Sequence, residues 1–455
     1  MKTIHEPDRS LPLIEECDVI VCGGGPAGIA AAIMASRAGA TTRLIEVNGC
    51  LGGVWTAGLL SWIIDSKNKP GIMQEIIARL RQRDACTIDE QKIVDFDEEP
   101  LYRGKDLERD FSYDAEQMKL ILEEMVIEAG VQIRLHTRVV AAQKDQHNRA
   151  SFIITESKSG REAWQARVFI DCTGDGDLAA QLGCGFDIGR DESHKTQPMT
   201  LMTLITGINA NDVVDYITEW HAGLNPPKYK LFDAIKQGGV EISYSRPCLF
   251  RIRDNLFALV VNQEYGVSGI NADDVTLATL NARKEVHATV NALRSLGGIW
   301  ENVQIVATAE QIGIREARRI HGRTQVVVDD LISGQSHDDG VTTVTFPVDV
   351  HSTNPDVEKS YSREGVSAQP YDIPLRALIA RDVEGLLMAG RCISGDFIAH
   401  SSYRVTGNAV PMGQAAGAAA ALSVIENCLP HQLQWDAIQK LIESHSTVSQ
   451  IKNTT

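Results

Sequence analysis

The chain has 455 residues, 43% of them hydrophobic and 23% charged, with a formal net charge of −16. That charge, with no basic stripe to offset it, argues against nucleic acid and anionic membrane surfaces as partners. Nine cysteines lie scattered with no C-x-x-C pair, which argues against a zinc site or a four-cysteine iron–sulfur cluster and suits a reducing, cytoplasmic setting.

Length alone accommodates two interleaved domains. Met1 to Glu16 carries acidic residues and prolines without an apolar stretch, so no signal peptide is expected. Residues 18–46 read as β-α-β: Val19 to Val21 as a buried strand, Gly23-x-Gly25-x-x-Gly28 as a turn, Ala27 to Ala38 as a helix, then Arg43 to Ile45 as a second strand. In such a turn Gly23 permits the bend, Gly25 lets the backbone approach a pyrophosphate, and Gly28 lets helix and strand pack closely. The helix start, with Pro26 and Ala27, turns unpaired N–H groups and a positive dipole end toward phosphates. Glu46 is placed to accept ribose hydroxyls and to repel a 2′-phosphate.

Helices are expected over Glu75 to Arg83 and Asp114 to Ala129, and a β-meander between about Val131 and Val168. Ala166 to Asp171 returns as a strand, followed by Cys172-Thr-Gly-Asp-Gly-Asp177, where Asp175 or Asp177 can cap a helix. Beyond Gly185 strand-like stretches (Pro198–Thr206, Leu249–Val261) alternate with helical ones (Asp212–His221, Asp273–Ser295, Thr308–Arg319). This reads as an inserted substrate domain over 185–365, leaving 1–184 and 366–455 as one discontinuous body. Asp349-x-His351 lies in a strand-like run that puts both side chains on one face, as an acid–base pair or half of a metal site, with no third ligand in view. Leu387 to Ser394 forms a second glycine signature. A helix is expected near Ala409, with Asn408 as N-cap and Pro411 in its first turn. Its Ala/Gly-rich run to Ile425 contains Pro411 and Gln414 and reads as a buried helix, not a membrane span. Ser446 to Thr455 reads as a frayed tail.

Taken together, these motifs resemble the FAD-dependent oxidoreductases of the glutathione-reductase-like superfamily, and in particular its FAD-oxidored group. The resemblance runs through Gly23–Gly28 and Glu46, Leu51-Gly-Gly-Val-Trp-Thr-Ala-Gly58, Asp171–Asp177, Gln311–Gly322, Phe346–His351, Ile373-Pro-Leu, Ala389–Ser394, His400, Arg404-Val405 and Gly413–Gly417. It implies an α/β fold, with a Rossmann-like FAD-binding domain of the GR2 type and an inserted α+β substrate domain. It also implies FAD as cofactor. The cofactor set it implies is Gly23, Gly25, Pro26, Ala27, Gly28, Glu46, Gly52, Gly53, Thr56, Val139, Thr173, Gly174, Asp175, Gly390, Arg391, Asn408, Val410 and Gln414. The Gly52-Gly53…Thr56 loop is expected between pyrophosphate and ring, with Thr56 near N5. Gly390 and Arg391 are expected at the pyrophosphate. The last long helix would aim its positive end at the pyrimidine edge and raise the reduction potential.

The paired cysteines of disulfide reductases are absent, and Cys50 has no partner nearby. His400 is the expected proton acceptor and Arg404 the orienter of a substrate carboxylate or hydroxyl. Arg315 and Arg319, at helical spacing, either bind substrate or brace an interface. The expected activity is oxidation of a small polar metabolite (a hydroxy acid, sugar derivative or amine) by hydride transfer to flavin N5, with an unidentified electron acceptor and no membrane span. Homo-oligomerisation stays open. The alternative is a non-redox or electron-transfer protein on the same fold, similar to thiazole synthase, to hydratase-like proteins or to the electron-transfer subunit of heterodisulfide reductase.

Overall fold

An apolar run such as Val19–Cys22, without alternation, suits a strand covered on both faces, and all four residues are fully buried. The computed structural model describes residues 2–88, 110–190, 192–218 and 225–445. Strand β1 (Leu13–Cys22) leads into helix α1 (Pro26–Arg37) and strand β2 (Thr42–Ile45). Helices α2 (Ile72–Gln82) and α3 (Ala115–Glu128) follow, α3 capped by Asp114, which accepts the Glu116 amide at 2.9 Å. Strands β3 (Gln132–Arg134), β4 (Arg138–Lys144), β5 (Ala150–Ser157) and β6 (Gly160–Asp171) come next.

One sheet carries them in the order β3-β2-β1-β6-β5-β4. Strand β3 pairs parallel with β2, whereas β4, β5 and β6 form an antiparallel meander. Strand β6 changes neighbour along its length. Its first half pairs with β5, and Phe169–Asp171 pairs parallel with a strand from the far end of the chain, Leu386–Met388. The five parallel strands therefore end together at Cys22, Ile45, Arg134, Asp171 and Met388, the edge where doubly wound sheets bind ligands.

The middle of the chain builds a second, antiparallel sheet. Its strands are β7 (Thr203–Thr206), β8 (Cys248–Arg253), β9 (Leu256–Val260) and β10 (Gln304–Thr308), in the order β8-β9-β7-β10. Helices α4 (Asn225–Gln237) and α5 (Ala272–Ser295) belong to the same region. Alternation separates its faces: Ile205, Leu249, Phe257 and Leu259 pack with Val286, Val290 and Leu293 of α5, whereas Phe250, Ala258 and Val260 pack with Met202 and Tyr244. From Ile320 onward, Val326, Phe346, Val348 and Val350 pack in the same core as Val19 and Ile20. Strand β11 (Val350–His351), strand β12 (Leu386–Met388), helix α6 (Phe397–Tyr403) and helix α7 (Thr406–Ile425) complete the elements that shape the site.

Several local expectations are corrected. Thr308–Arg319 is not a helix. Strand β10 ends at Thr308, Gly313 bridges to Thr200, and Arg318–Ile320 pairs with Phe186–Ile188, so strand partners override the helical charge pattern. Arg315 and Arg319 consequently share no helical face. Of Asp212–His221, the described part holds a single 3-10 turn at Val214–Tyr216, and 219–221 lie outside the described residues. Leu249–Val261 is a hairpin of two strands. Helix α7 starts three residues earlier than expected, with Val405 as N-cap; Asn408 is inside it, and Pro411 sits in its interior, where it removes one helical hydrogen bond. Gly176, not an aspartate, caps the helix at Asp177–Gln181. The expected tail at 446–455 lies outside the described residues.

Candidate active site

The turn after β1 is set by close backbone approach. Gly23 has φ +99°, and a Cβ there would lie 2.3 Å from the Cys172 carbonyl oxygen; at Gly28 it would lie 1.8 Å from the Gly23 oxygen. Gly25 differs, for its missing Cβ would meet nothing within 4 Å. The open space is a cleft of about 1460 Å³ at the carboxyl ends of the parallel strands.

Gly23, Gly25, Pro26, Ala27, Glu46, Gly53, Val139, Thr173, Gly174, Asp175, Gly390, Arg391 and Arg404 line it. Glu46 is 3% exposed and accepts the Gly24 amide at 2.5 Å and the Asn48 amide at 2.7 Å; burial raises its pKa. Arg391 donates to the Gly174 carbonyl at 3.0 Å, to Asp175 at 2.5 Å and to the Ile314 carbonyl. Burial raises Asp175, and the Arg391 charge opposes that shift. Thr173 donates to Asp171 at 2.7 Å, and burial lifts that carboxyl to about 6.

The other expected cofactor residues do not line the cleft. Gly28 sits beneath the turn. Gly52, with φ +109°, makes room for Thr56, whose hydroxyl donates to the Leu51 carbonyl at 2.5 Å. Gln414 accepts the Ile72 amide at 2.9 Å and so ties α7 to α2. Val410 is fully buried core. Cys50 keeps its thiol protonated, because burial raises its pKa.

At the start of α7 the cleft is lined by Val405, Thr406 and Ala409. The Thr406 hydroxyl and both side-chain amide atoms of Asn408 are buried with no hydrogen-bond partner among the described residues. Asn408 is buried inside the first turn and does not line the cleft. The orphaned Thr406 hydroxyl does, at a helix N-terminus bordering a glycine-edged cleft that ends at a second helix N-terminus, which is what an extended dinucleotide needs. The residues therefore fit FAD: the glycine turn and α1 for its pyrophosphate, Glu46 for its ribose, and the start of α7 for the polar edge of its ring.

Beyond α7 the cleft opens onto Asp349, His351, Arg315, Tyr244, Phe250 and Trp62. Sequence spacing indeed puts Asp349 and His351 on one face, with Oδ2 and Nε2 3.2 Å apart. Arg404 donates to the Asp349 carbonyl at 2.9 Å and to its carboxylate at 3.2 Å. His351 Nδ1 contacts the Gln263 side-chain amide at 2.5 Å, and its ring lies between Tyr244 and Tyr361 at centroid distances of 5.8 and 5.7 Å. Burial, then the Arg315 charge, lower His351 to about 4, so it is neutral at physiological pH. Burial alone would raise Asp349, but His351, Arg404 and Arg315 outweigh it and hold the carboxyl well below its usual range. Gln263, Tyr244 and Gln197, which accepts the His351 amide at 3.0 Å, carry no motif, and only their contacts reveal them.

His400 is fully buried in α6 and is not among the residues that line the cleft. Burial, then Arg319, hold its pKa well below the usual value. Arg319 lies behind the cleft, bonded to the Gly395 and Gly189 carbonyls at 3.1 and 2.9 Å and paired with Glu316.

No helix among the described residues is long and apolar enough to cross a membrane. No curated protein matches the chain. Among solved structures, the chain is similar to a geranylgeranyl bacteriochlorophyll reductase-like protein of Thermoplasma acidophilum, at 12% identity over 94% of this chain and 83% of that one, TM-score 0.49. It is likewise similar to the flavin-dependent brominase Bmp2, at 13% identity over 94% and 83%, TM-score 0.48. A third is p-nitrophenol 4-monooxygenase of Pseudomonas putida DLL-E4, at 10% identity over 95% and 84%, TM-score 0.45. The family model described as FAD dependent oxidoreductase matches residues 18–442, and the chain belongs to that family of FAD-using enzymes.

Proposed function

We propose that the protein catalyses the two-electron oxidation of a small polar metabolite (a hydroxy acid, sugar derivative or amine) in the part of the cleft between α7 and the β8–β9 hairpin. The observation that carries this reading is the continuity of the cleft from the glycine turn to the Asp349–His351–Arg404 cluster. Such an oxidation removes a carbon-bound hydrogen with its electron pair and a proton from the adjacent oxygen or nitrogen. FAD, when bound, supplies the two-electron acceptor. An acceptor outside the chain (oxygen, a quinone or a carrier protein) completes the turnover, and the nine free cysteines favour a cytoplasmic setting.

The chain's own residues handle the proton. The Gln263 side-chain N–H donates to Nδ1, so the neutral His351 ring holds its Nε2–H on Asp349 across the 3.2 Å contact, and the carboxylate of the pair takes the proton. The Tyr265 hydroxyl, donating to the Gln263 oxygen at 2.5 Å, sets the amide orientation and with it the ring tautomer. His351 orients that carboxylate through Nε2–H, and Arg404, bonded to the same carboxylate, keeps it in place. Because His400 does not reach the cleft, the Asp349–His351 pair takes over the role of base in this proposal.

Anaerobic titration of the holoenzyme with hydroxy acids, sugars and amines tests the reading. One class should bleach the flavin absorbance, and Asp349→Asn should lower the reduction rate about 10²–10⁴-fold with FAD content unchanged. If no class bleaches the flavin, the oxidase or dehydrogenase reading falls.

A further inference from the structure

Arg315 stands out among the cations of the cleft. Its Nη1 donates to two neutral oxygens, the Pro198 carbonyl at 2.6 Å and the Thr200 hydroxyl at 2.7 Å. Among the described residues these are its hydrogen-bond partners, and no carboxylate pairs with it. Arg404 beside it is paired with Asp349, whose single negative charge, also felt by Arg315, cannot answer both guanidinium groups. A guanidinium cannot shed its proton to escape burial, so an unpaired one lining a cleft is a standing demand for an anion. Burial and the nearby Arg404 charge lower Arg315 to about 10, which still leaves it charged at neutral pH.

The walls around it are apolar. Trp62 and Phe250 stack with ring centroids 4.7 Å apart and an interplanar angle of 18°, and Met202, Tyr244 and Val260 extend the same surface. Tyr244 stays a neutral phenol, since burial raises its pKa. One unanswered positive charge held against a largely apolar wall suits a monoanion with an apolar body better than a dianionic phosphate or an uncharged sugar.

We propose that the chamber takes an organic carboxylate, its anion seated on Arg315 and its aromatic or aliphatic body against Phe250, Tyr244 and Val260. This rests on the reading of the chamber as the substrate end of the cleft. Arg315 is then the residue that selects acids over the sugars and simple amines of the wider class.

Calorimetric binding to the holoenzyme, independent of turnover, tests it. The probes are benzoate, phenylacetate and 3-phenyllactate, with benzamide as neutral isostere and inorganic phosphate as competing anion. At least one acid should bind at least 10-fold tighter than benzamide and phosphate, Arg315→Met should remove that preference, and Arg315→Lys should restore part of it. FAD content and far-UV circular dichroism of both variants should match the parent. The proposal is overturned if no acid binds, if phosphate binds tighter than every acid, or if Arg315→Met leaves acid binding unchanged. Loss of FAD from folded Arg315→Met and Arg315→Lys would also overturn it, by assigning the guanidinium to the cofactor. Acid binding without flavin bleaching by any substrate would sink the oxidation reading while leaving the carboxylate site standing.

Discussion

Arg391 joins three separate stretches of chain through one guanidinium: Gly174 and Asp175 after β6, Ile314 in the extended segment after β10, and its own position after β12. Arg391→Met would leave the Asp175 carboxylate without its cation beside an anionic cofactor. Hydrogen bonds to charged groups contribute about 1.5–3 kcal/mol, so FAD affinity should fall roughly 10- to 100-fold, read by fluorescence titration of apoprotein. The buried histidines make a different prediction. His351 is lowered to about 4 and His400 lies well below its ordinary value, so between about pH 6.5 and 4 the unfolded chain binds protons that the folded chain does not. Stability should therefore fall as pH drops through that window. Urea midpoints from pH 7 to 4 measure it, and His351→Gln should flatten part of the slope.

At the scale of elements, α1 and α7 meet at their backbones. A Cβ at Gly413 would lie 2.0 Å from the Ala27 carbonyl oxygen, and one at Gly417 would lie 2.2 Å from that of Ala31. No rotamer relieves a clash with backbone, so Gly413→Ala must push the helices apart at the point where both N-termini reach the cleft. A loss of about 1–3 kcal/mol is expected, together with weaker FAD retention, measured by denaturant midpoint and flavin content after gel filtration. The alanines of both helices were legible as small residues for close packing, and the structure shows the partner to be each other. The start of α7 was misjudged because Asn408 looks like a cap. In the structure its amide is buried inside the first turn, and the early start brings Thr406 to the cleft.

For the molecule as a whole, the cleft is walled by both ends of the chain and by the inserted sheet, so cofactor binding should stabilise all three together. FAD at 100 times its Kd should raise the unfolding free energy by about 2.7 kcal/mol, visible as a higher Tm of reconstituted over apoprotein. An unchanged Tm would mean that the cleft does not hold FAD. The β-α-β unit, its glycine turn and Glu46 were legible in the sequence because their geometry is local: strand, turn and helix lie within thirty residues, and Gly28 packs on Gly23 of the same turn. Asp349 and His351 were legible for the same reason, as alternate residues of one extended run. The remainder of the substrate end was decided by tertiary structure. The arginine run at 315–319 has the spacing of a helix, yet pairing of Gly313 with Thr200 and of Arg318–Ile320 with Phe186–Ile188 stretches it out, sending Arg315 into the cleft and Arg319 behind it. His400 has the side chain of a base, but the packing of α6 buries it away from the cleft. Local periodicity reports which faces a segment could show, whereas strand pairing and burial across hundreds of residues select the face that meets the substrate.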